Sequence, residues 1–355
     1  MKSIYSEEEV IIADRKIGTA HPPFIIAEMS GNHNQSLERA IKIVEAAAKT
    51  GADAVKLQTY TADTLTIDLT EKEFFIDDPK SLWHGKSLHE LYNEAHTPWD
   101  WHEPIMNRCK ELGLICFSTP FDESAVDFLE SLSVPAYKIA SFENNHLPLI
   151  RKVAAIGKPL LLSTGMATVA DLEYSVNAAR NAGCRNIILL KCTSTYPASP
   201  ENSNLLTIPH MRELFGCQVG LSDHTMGTGT AVASIVLGST VIEKHFTLKR
   251  SDGGVDGAFS LEPKEMKSLT IETKRAWHAL GQVSYGPTAK ENDSMVFRRS
   301  IYIVKDMRAG DILTPDNIRI IRPGFGLSPR YYEILLGRSI KVATRRGTPV
   351  TWNLI

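Results

Sequence analysis

From Phe24 to about Gly281, short β-type runs alternate with longer helical patterns. That alternation restricts the chain to folds built from βα units around a parallel sheet. Eight runs qualify: FIIAE (24–28), DAVKLQ (53–58), LICFS (114–118), AYKIA (136–140), PLLLS (159–163), NIILLK (186–191), CQVGLS (217–222) and TVIEKH (240–245). Between them lie stretches such as LERAIKIVEAAAKTG, whose apolar residues recur at three and four and which closes on a glycine. Eight such units in about 260 residues match the size and count of a TIM (β/α)8 barrel. A doubly wound α/β sheet is the structural alternative. No G-x-G-x-x-G follows the first run, which removes the usual dinucleotide signal.

At 355 residues the chain is longer than a single core usually supports, and its 43% hydrophobic content is ample for a large domain plus a small one. The expected division is a barrel over 1–282, a polar linker over 283–295 and a compact module over 296–355, where short strands alternate with Gly and Pro turns. The segment between the second and third runs is unusually long, from Thr59 to Tyr92. It carries Phe74, Phe75, Trp83 and Tyr92, which predicts an ordered lid over the barrel mouth. A formal net charge of -2 argues against general nucleic-acid or anionic-membrane binding. Five cysteines without a CxxC pair support neither a disulfide framework nor a zinc knuckle, and fit a reducing cytoplasm. The N-terminus, MKSIYSEEEV, lacks the apolar core of a signal peptide, and no run is long enough to span a membrane.

Four lysines sit inside the apolar runs: Lys56, Lys138, Lys191 and Lys244. A buried ammonium is costly unless an anion meets it, so each is either a structural ion pair or part of an anion pocket. Strand ends in a barrel converge on one mouth, where the active site lies. The polar residues there include Glu28, Lys56, Gln58, Ser118, Thr119, Lys138, Ser141, Glu143, Ser163, Thr164, Lys191, Ser194, Tyr196, Ser222, Asp223, His224, Glu243, Lys244 and His245. Hydroxyls beside lysines suit a phosphate or carboxylate, whose oxygens each want several donors. Lys244 immediately precedes His245, so strand alternation turns it to the opposite face, toward a structural carboxylate.

His224 and His245 end consecutive runs and can share one divalent metal ion, with open positions left for water and substrate oxygens. Glu28 and Glu143 either move protons or pair with a lysine. Asp256, in the loop after the last strand, is a candidate for the same site or a turn residue.

These residues lie in FIIAEMSGNH, DAVKLQTY, FSTPFD, YKIASFE, LLSTGMA, KCTSTYP, VGLSDHTMG, VIEKHF and SLEP, and in this order and spacing the chain resembles the sialic acid synthase family over nearly its full length. The C-terminal part resembles that family's SAF (antifreeze-like) domain, with RRS and RPGFGL as markers. LQTY, the SLWHGKSLHELYNEAHTPWDWH lid, KIASFE, KCTSTYP with Lys191, and FGLSP are most similar to the pseudaminic acid branch. The resemblance implies that Lys56, Lys138, Ser141, Ser163, Ser194 and Ser222 hold phosphoenolpyruvate, with Ser194 where many relatives carry asparagine; Thr119, at its strand end, is a further substrate-binding candidate. It implies sugar-side contacts from Gln58, Phe121 and Tyr196, metal ligation by His224 and His245 (Mn2+, Mg2+ or Co2+), and acidic site roles for Glu28, Glu143 and Asp256. It also implies a domain-swapped homodimer in which Arg322 of one subunit enters the other's site.

The implied reaction is condensation of phosphoenolpyruvate with 2,4-diacetamido-2,4,6-trideoxy-L-altrose, releasing phosphate by C–O cleavage. The alternative is a neuraminate- or legionaminate-type synthesis from a manno-configured acetamido sugar. Two rival readings stand beside these. A Schiff-base aldolase would use a strand-end lysine as nucleophile and leave the histidine pair idle. A non-enzymatic carbohydrate- or ice-binding protein would use the C-terminal module instead.

Overall fold

The computed structural model describes residues 9–355, so most of the N-terminal segment read for a signal sequence lies outside the described residues. A hairpin of β1 (Val10–Ile12) and β2 (Arg15–Ile17) precedes the barrel. The barrel strands are β3 (Phe24–Glu28), β4 (Ala54–Thr59), β5 (Ile115–Pro120), β6 (Tyr137–Ile139), β7 (Leu160–Ser163), β8 (Ile187–Cys192), β9 (Gln218–Ser222) and β10 (Val241–His245). All are parallel, and β10 pairs with β3 to close the cylinder. Closure settles the choice between barrel and doubly wound sheet.

Each strand is buried on both faces, which is why the runs read as nearly continuous apolar sequence. Inside, Phe24, Ile26, Ala54, Phe117, Leu161, Ile188, Leu190 and Val241 form one cluster, and Val10, Ile12 and Ile17 of the hairpin pack against it. Outside, helices cover the strands. Helix α1 (Leu37–Thr50) is typical. Ser36 caps its start by accepting from the Arg39 amide at 3.2 Å, and Gly51 ends it in the left-handed region at φ 83°. Ala40, Ile43, Val44 and Ala47, spaced by three and four, are its buried stripe.

The long insertion after β4 carries two helices, α2 (Ala62–Leu65) and α3 (Leu88–Ala95), joined by a turn in which Phe75 and Ser87 pair as an antiparallel bridge. Ser87 and Glu90 form a capping box that starts α3. The Trp83 indole N–H donates to the Val255 carbonyl at 2.8 Å, tying the insertion to the loop that carries Asp256. The expected lid is therefore a folded element with its own caps and anchor.

The chain divides between Gly281 and Gln282 into two compact units. In the second, β11 (Ser300–Ile303) pairs antiparallel with β12 (Ile318–Ile321), and Ile301, Ile303, Met307, Leu313, Ile318, Leu335, Ile340 and Val350 form a separate core. The stretch expected to be a plain linker is partly structured. Ala289–Phe297 winds into 3-10 turns because Thr288 and Glu291 cap one another, with the Thr288 amide donating to Glu291 at 2.7 Å. Among the described residues no helix is long and apolar enough to cross a membrane.

Candidate active site

Parallel strands in a closed barrel bring all eight C-terminal ends to one mouth, and the register sets the neighbours there. Glu28 lies across from Lys56 on one side and His245 on the other, Gln58 across from Thr119, and Glu243 across from Ser222. Two lysine–carboxylate pairs, Lys56 with Glu28 and Lys138 with Glu243, form the floor. Lys56 Nζ lies 2.7 Å from Glu28 Oε2 and donates to Thr119 Oγ1 at 3.0 Å. Lys138 Nζ donates to both oxygens of Glu243, at 2.8 and 2.9 Å. Ser222 Oγ donates to Glu243 Oε1 at 3.1 Å, and Gln58 Nε2 to Glu28 Oε1 at 2.9 Å.

The two lysines expected to meet an anion are thus already paired with carboxylates, and their electrostatics are unequal. Burial works against the Glu243 carboxylate, but Lys138 and Lys56 outweigh it and hold Glu243 well below the ordinary range. Burial dominates at Glu28 and pushes it up to about 7, against the pull of Lys56. Near neutrality Glu28 is the group that gives up its charge. Burial also lowers Lys138 against the pull of Glu243, while Lys56, against the same burial, is held charged by Glu243 and Glu28, so Lys56 is the firmer cation for an incoming anion.

Beside the floor is a cradle of hydroxyls. The Gly165 amide donates to Ser141 Oγ at 3.2 Å, and Ser163 Oγ is buried without a hydrogen-bond partner. A Cβ at Gly165 would stand 2.1 Å from Ser194 Oγ and 2.6 Å from Ser141 Oγ, so only glycine leaves both hydroxyls in place. Asn144 fixes this turn by donating to the carbonyls of Ser163 and Gly165 at 3.3 and 2.9 Å.

The His224 and His245 rings lie 5.4 Å apart, and Tyr196 packs on His224 at 4.4 Å. His224 Nδ1 donates to the Thr193 carbonyl at 2.9 Å, which fixes the ring's orientation; burial works against its charged form, but the Cys192 thiol and the Thr193 carbonyl outweigh it and raise its pKa. His245 Nδ1 is buried without a hydrogen-bond partner, 3.7 Å from Asp256 Oδ2. Burial, His224 and Lys56 hold His245 far below the usual histidine range, so it is a neutral imidazole. Among the described residues no group of three or more His, Cys, Asp or Glu side chains is arranged to hold an ion. An orphaned neutral imidazole beside a second one whose Nδ1 is held by a carbonyl nevertheless fits a cation that displaces the proton and keeps open positions for other oxygens.

Asp256 accepts from Ser30 Oγ, and burial raises its pKa. Glu143 differs from Glu28. It pairs with no lysine, its Oε2 is buried without a partner, and burial pushes it up to about 7. Gln58, Phe121, Glu143, Tyr196, His245 and Asp256 all line one cavity of about 280 Å³, roofed by the insertion.

The two remaining strand lysines leave this group. Lys244 pairs with Asp223 at 2.7 Å on the outer face, as alternation predicts. Lys191 is out of phase with Leu190, which faces the barrel interior, and donates to the Cys192 carbonyl at 3.0 Å. Arg322 lies on the second unit, exposed, directly after β12. Sequence reasoning left Glu243 without a role, although it shares the inward phase of His245. It did not single out Ser30, Tyr60, Asn144 or Gly165, and it placed Tyr92 only on the lid.

Comparison with known proteins agrees with this geometry. The NeuB family model matches residues 43–285, and the SAF domain model matches 298–355. Pseudaminic acid synthase of Campylobacter jejuni is 42% identical over 315 residues, covering 89% of this chain and 91% of its own. Pseudaminic acid synthase of Helicobacter pylori is 40% identical over 332 residues, covering 93% and 97%. Among solved structures, N-acetylneuraminic acid synthetase of Leptospira borgpetersenii, crystallised with citrate, superimposes with a TM-score of 0.73 at 29% identity, over 81% of this chain and 95% of that one.

Proposed function

We propose, from the premise that this chain belongs to the NeuB family, that it is a pseudaminic acid synthase. It condenses phosphoenolpyruvate with 2,4-diacetamido-2,4,6-trideoxy-L-altrose, giving pseudaminic acid and phosphate. The observation that carries the chemistry is the grouping, at the strand ends, of a two-lysine floor, a hydroxyl cradle and two facing imidazoles. The similarity to two pseudaminic acid synthases carries the choice of sugar.

Phosphoenolpyruvate C3 attacks the aldehyde carbon, a C–C bond forms, and positive charge builds at C2. Water adds there, and the C2–O bond to phosphate breaks to leave a 2-keto acid. Lys56, Lys138, Thr119, Ser141, Ser163, Ser194 and Ser222 hold the phosphate and carboxylate of phosphoenolpyruvate; the unpartnered Ser163 hydroxyl is a donor awaiting an acceptor. A divalent cation (Mn2+, Mg2+ or Co2+) held by His224 and His245 would supply Lewis acidity toward the aldehyde oxygen. Gln58, Phe121, Tyr196 and Asp256 bound the sugar side. Glu28 is ion-paired with Lys56 and accepts from Gln58, whereas Glu143 lines the cavity with no ion-pair partner, so Glu143 takes the proton from the water that adds at C2.

The working unit in this reading is a homodimer in which Arg322 of one subunit enters the site of the other. Its exposure on the second unit supports that role. Five free, buried cysteines support a cytoplasmic setting.

The test uses chelator-stripped enzyme, restored metal, phosphoenolpyruvate labelled in its bridging oxygen, and a panel of altro- and manno-configured acetamido sugars. The expected outcome is metal-dependent turnover of the altro diacetamido sugar with the label in phosphate. Turnover confined to manno sugars overturns the substrate, and label kept in the keto acid overturns the route.

A further inference from the structure

The cavity has two unlike halves. The barrel ends supply Ser30, Gln58, Glu143, His245 and Asp256. The insertion supplies Leu65, Ile76, Trp83, Leu88, Leu91, Tyr92 and Ala95, every one apolar or aromatic. Yet residues 61–95 contain eleven Asp, Glu and Lys, and none of them lines the cavity. These charges face away: Lys86 pairs with Glu94, and Asp63 meets His89 at 3.0 Å. Leu65 and Ile76 are half-buried, unlike Leu91, so they line open space instead of completing a packed interior.

The chemistry orients any sugar that enters. Its aldehyde carbon must lie at the floor, near Lys56, Lys138 and His245. In the open-chain form C6 is five carbon–carbon bonds away, and the element closing the cavity beyond the barrel ends is the insertion. A C6 methyl group placed against Leu65 and Ile76 is buried favourably. A C6 hydroxyl placed there gives up its water without a hydrogen-bonding replacement.

The geometry points to the insertion as the element that selects a 6-deoxy sugar, with Leu65 and Ile76 as the specificity-determining residues against the C6 methyl. This rests on the proposed condensation and adds to it a reason why the acceptor is deoxygenated at C6.

The decisive comparison is kcat/KM for 2,4-diacetamido-2,4,6-trideoxy-L-altrose and for the same sugar bearing a 6-hydroxyl, on unmodified enzyme and on Leu65→Asn and Ile76→Thr. Unmodified enzyme should prefer the deoxy sugar by about 10- to 100-fold, the scale at which an apolar pocket rejects an added hydroxyl. Both variants should narrow that ratio to a few-fold, chiefly by losing activity on the deoxy sugar, with KM for phosphoenolpyruvate unchanged. The unchanged KM also shows that the barrel has folded. Equal use of the two sugars by unmodified enzyme, or an equal loss on both in the variants, overturns the inference while leaving the condensation intact. Activity on N-acetylmannosamine with none on either altrose overturns both.

Discussion

Burial is what makes the floor and Glu143 chemically different from their surface counterparts. Glu143, pushed up to about 7, is protonated below neutrality and charged above it. If it takes the proton from water, kcat/KM must rise with pH through about 7, and Glu143→Gln should abolish that limb and slow turnover by about 10²- to 10⁴-fold. A pH–rate profile of the two proteins checks it. The same shift has a stability consequence of defined sign. The folded pKa lies above the ordinary 4.5, so the folded state binds the extra proton between about 4.5 and 7, and stability falls as pH rises through that window. Glu143→Gln should therefore raise Tm more at pH 8 than at pH 5. Lys138 separates stability from function in another way. Lys138→Met leaves Glu243 buried and unpaired, which should cost about 3–5 kcal/mol, whereas Lys138→Met with Glu243→Met should recover most of that loss. Both should lose phosphoenolpyruvate binding. Urea unfolding alongside KM measurements distinguishes this from a purely structural ion pair, for which the double variant would stay active.

Elements place these residues, and the turn after β7 is where placement is tightest. In Gly165→Ala the new Cβ would meet two serine hydroxyls, which can rotate away, and the Ser141 Cβ at 2.9 Å, which cannot, so stability should fall by about 1–3 kcal/mol. The rotated hydroxyls would leave the cradle, and KM for phosphoenolpyruvate should rise by about tenfold or more, with kcat less affected. Steady-state kinetics and a melting curve on that variant give both readings. How far such features were legible in sequence follows from their range. The eight strands were visible because a strand buried on both faces writes itself as a short apolar run. Alternation within VIEKHF separated Lys244 from His245, and the same rule places Glu243 inward. The charge ladder was legible only as a set of candidates, because which carboxylate meets which lysine depends on barrel register. Lys138 and Glu243 are 105 residues apart, and Ser30 and Asp256 are 226 apart. The anchor from Trp83 to a backbone carbonyl at Val255 has no side-chain signature at its receiving end. The insertion announced itself by length and aromatic content, but its apolar roof emerged only once folding had turned eleven charges outward.

At the scale of the whole molecule the open question is where the second unit does its work. It has a core of its own, and the residues from 281 to 299 that precede its first paired strand are exposed except Val296, so the fold does not oblige it to serve the barrel of its own chain. A reciprocal exchange between two subunits closes with two-fold symmetry and gives each site one barrel and one foreign Arg322. That arrangement predicts complementation between two inactive proteins. Glu143→Gln damages the barrel and keeps Arg322; Arg322→Ala keeps the barrel and loses the arginine. When the two are mixed in equal amounts and allowed to exchange subunits, half of the dimers are mixed, and each mixed dimer holds one site with both groups intact. Activity should then climb from the background of either variant to about a quarter of that of the unmodified enzyme. If Arg322 served its own barrel, every site in the mixture would lack one group, and activity would stay at the average of the two variants. Sedimentation showing an active monomer would remove the exchange by a separate route.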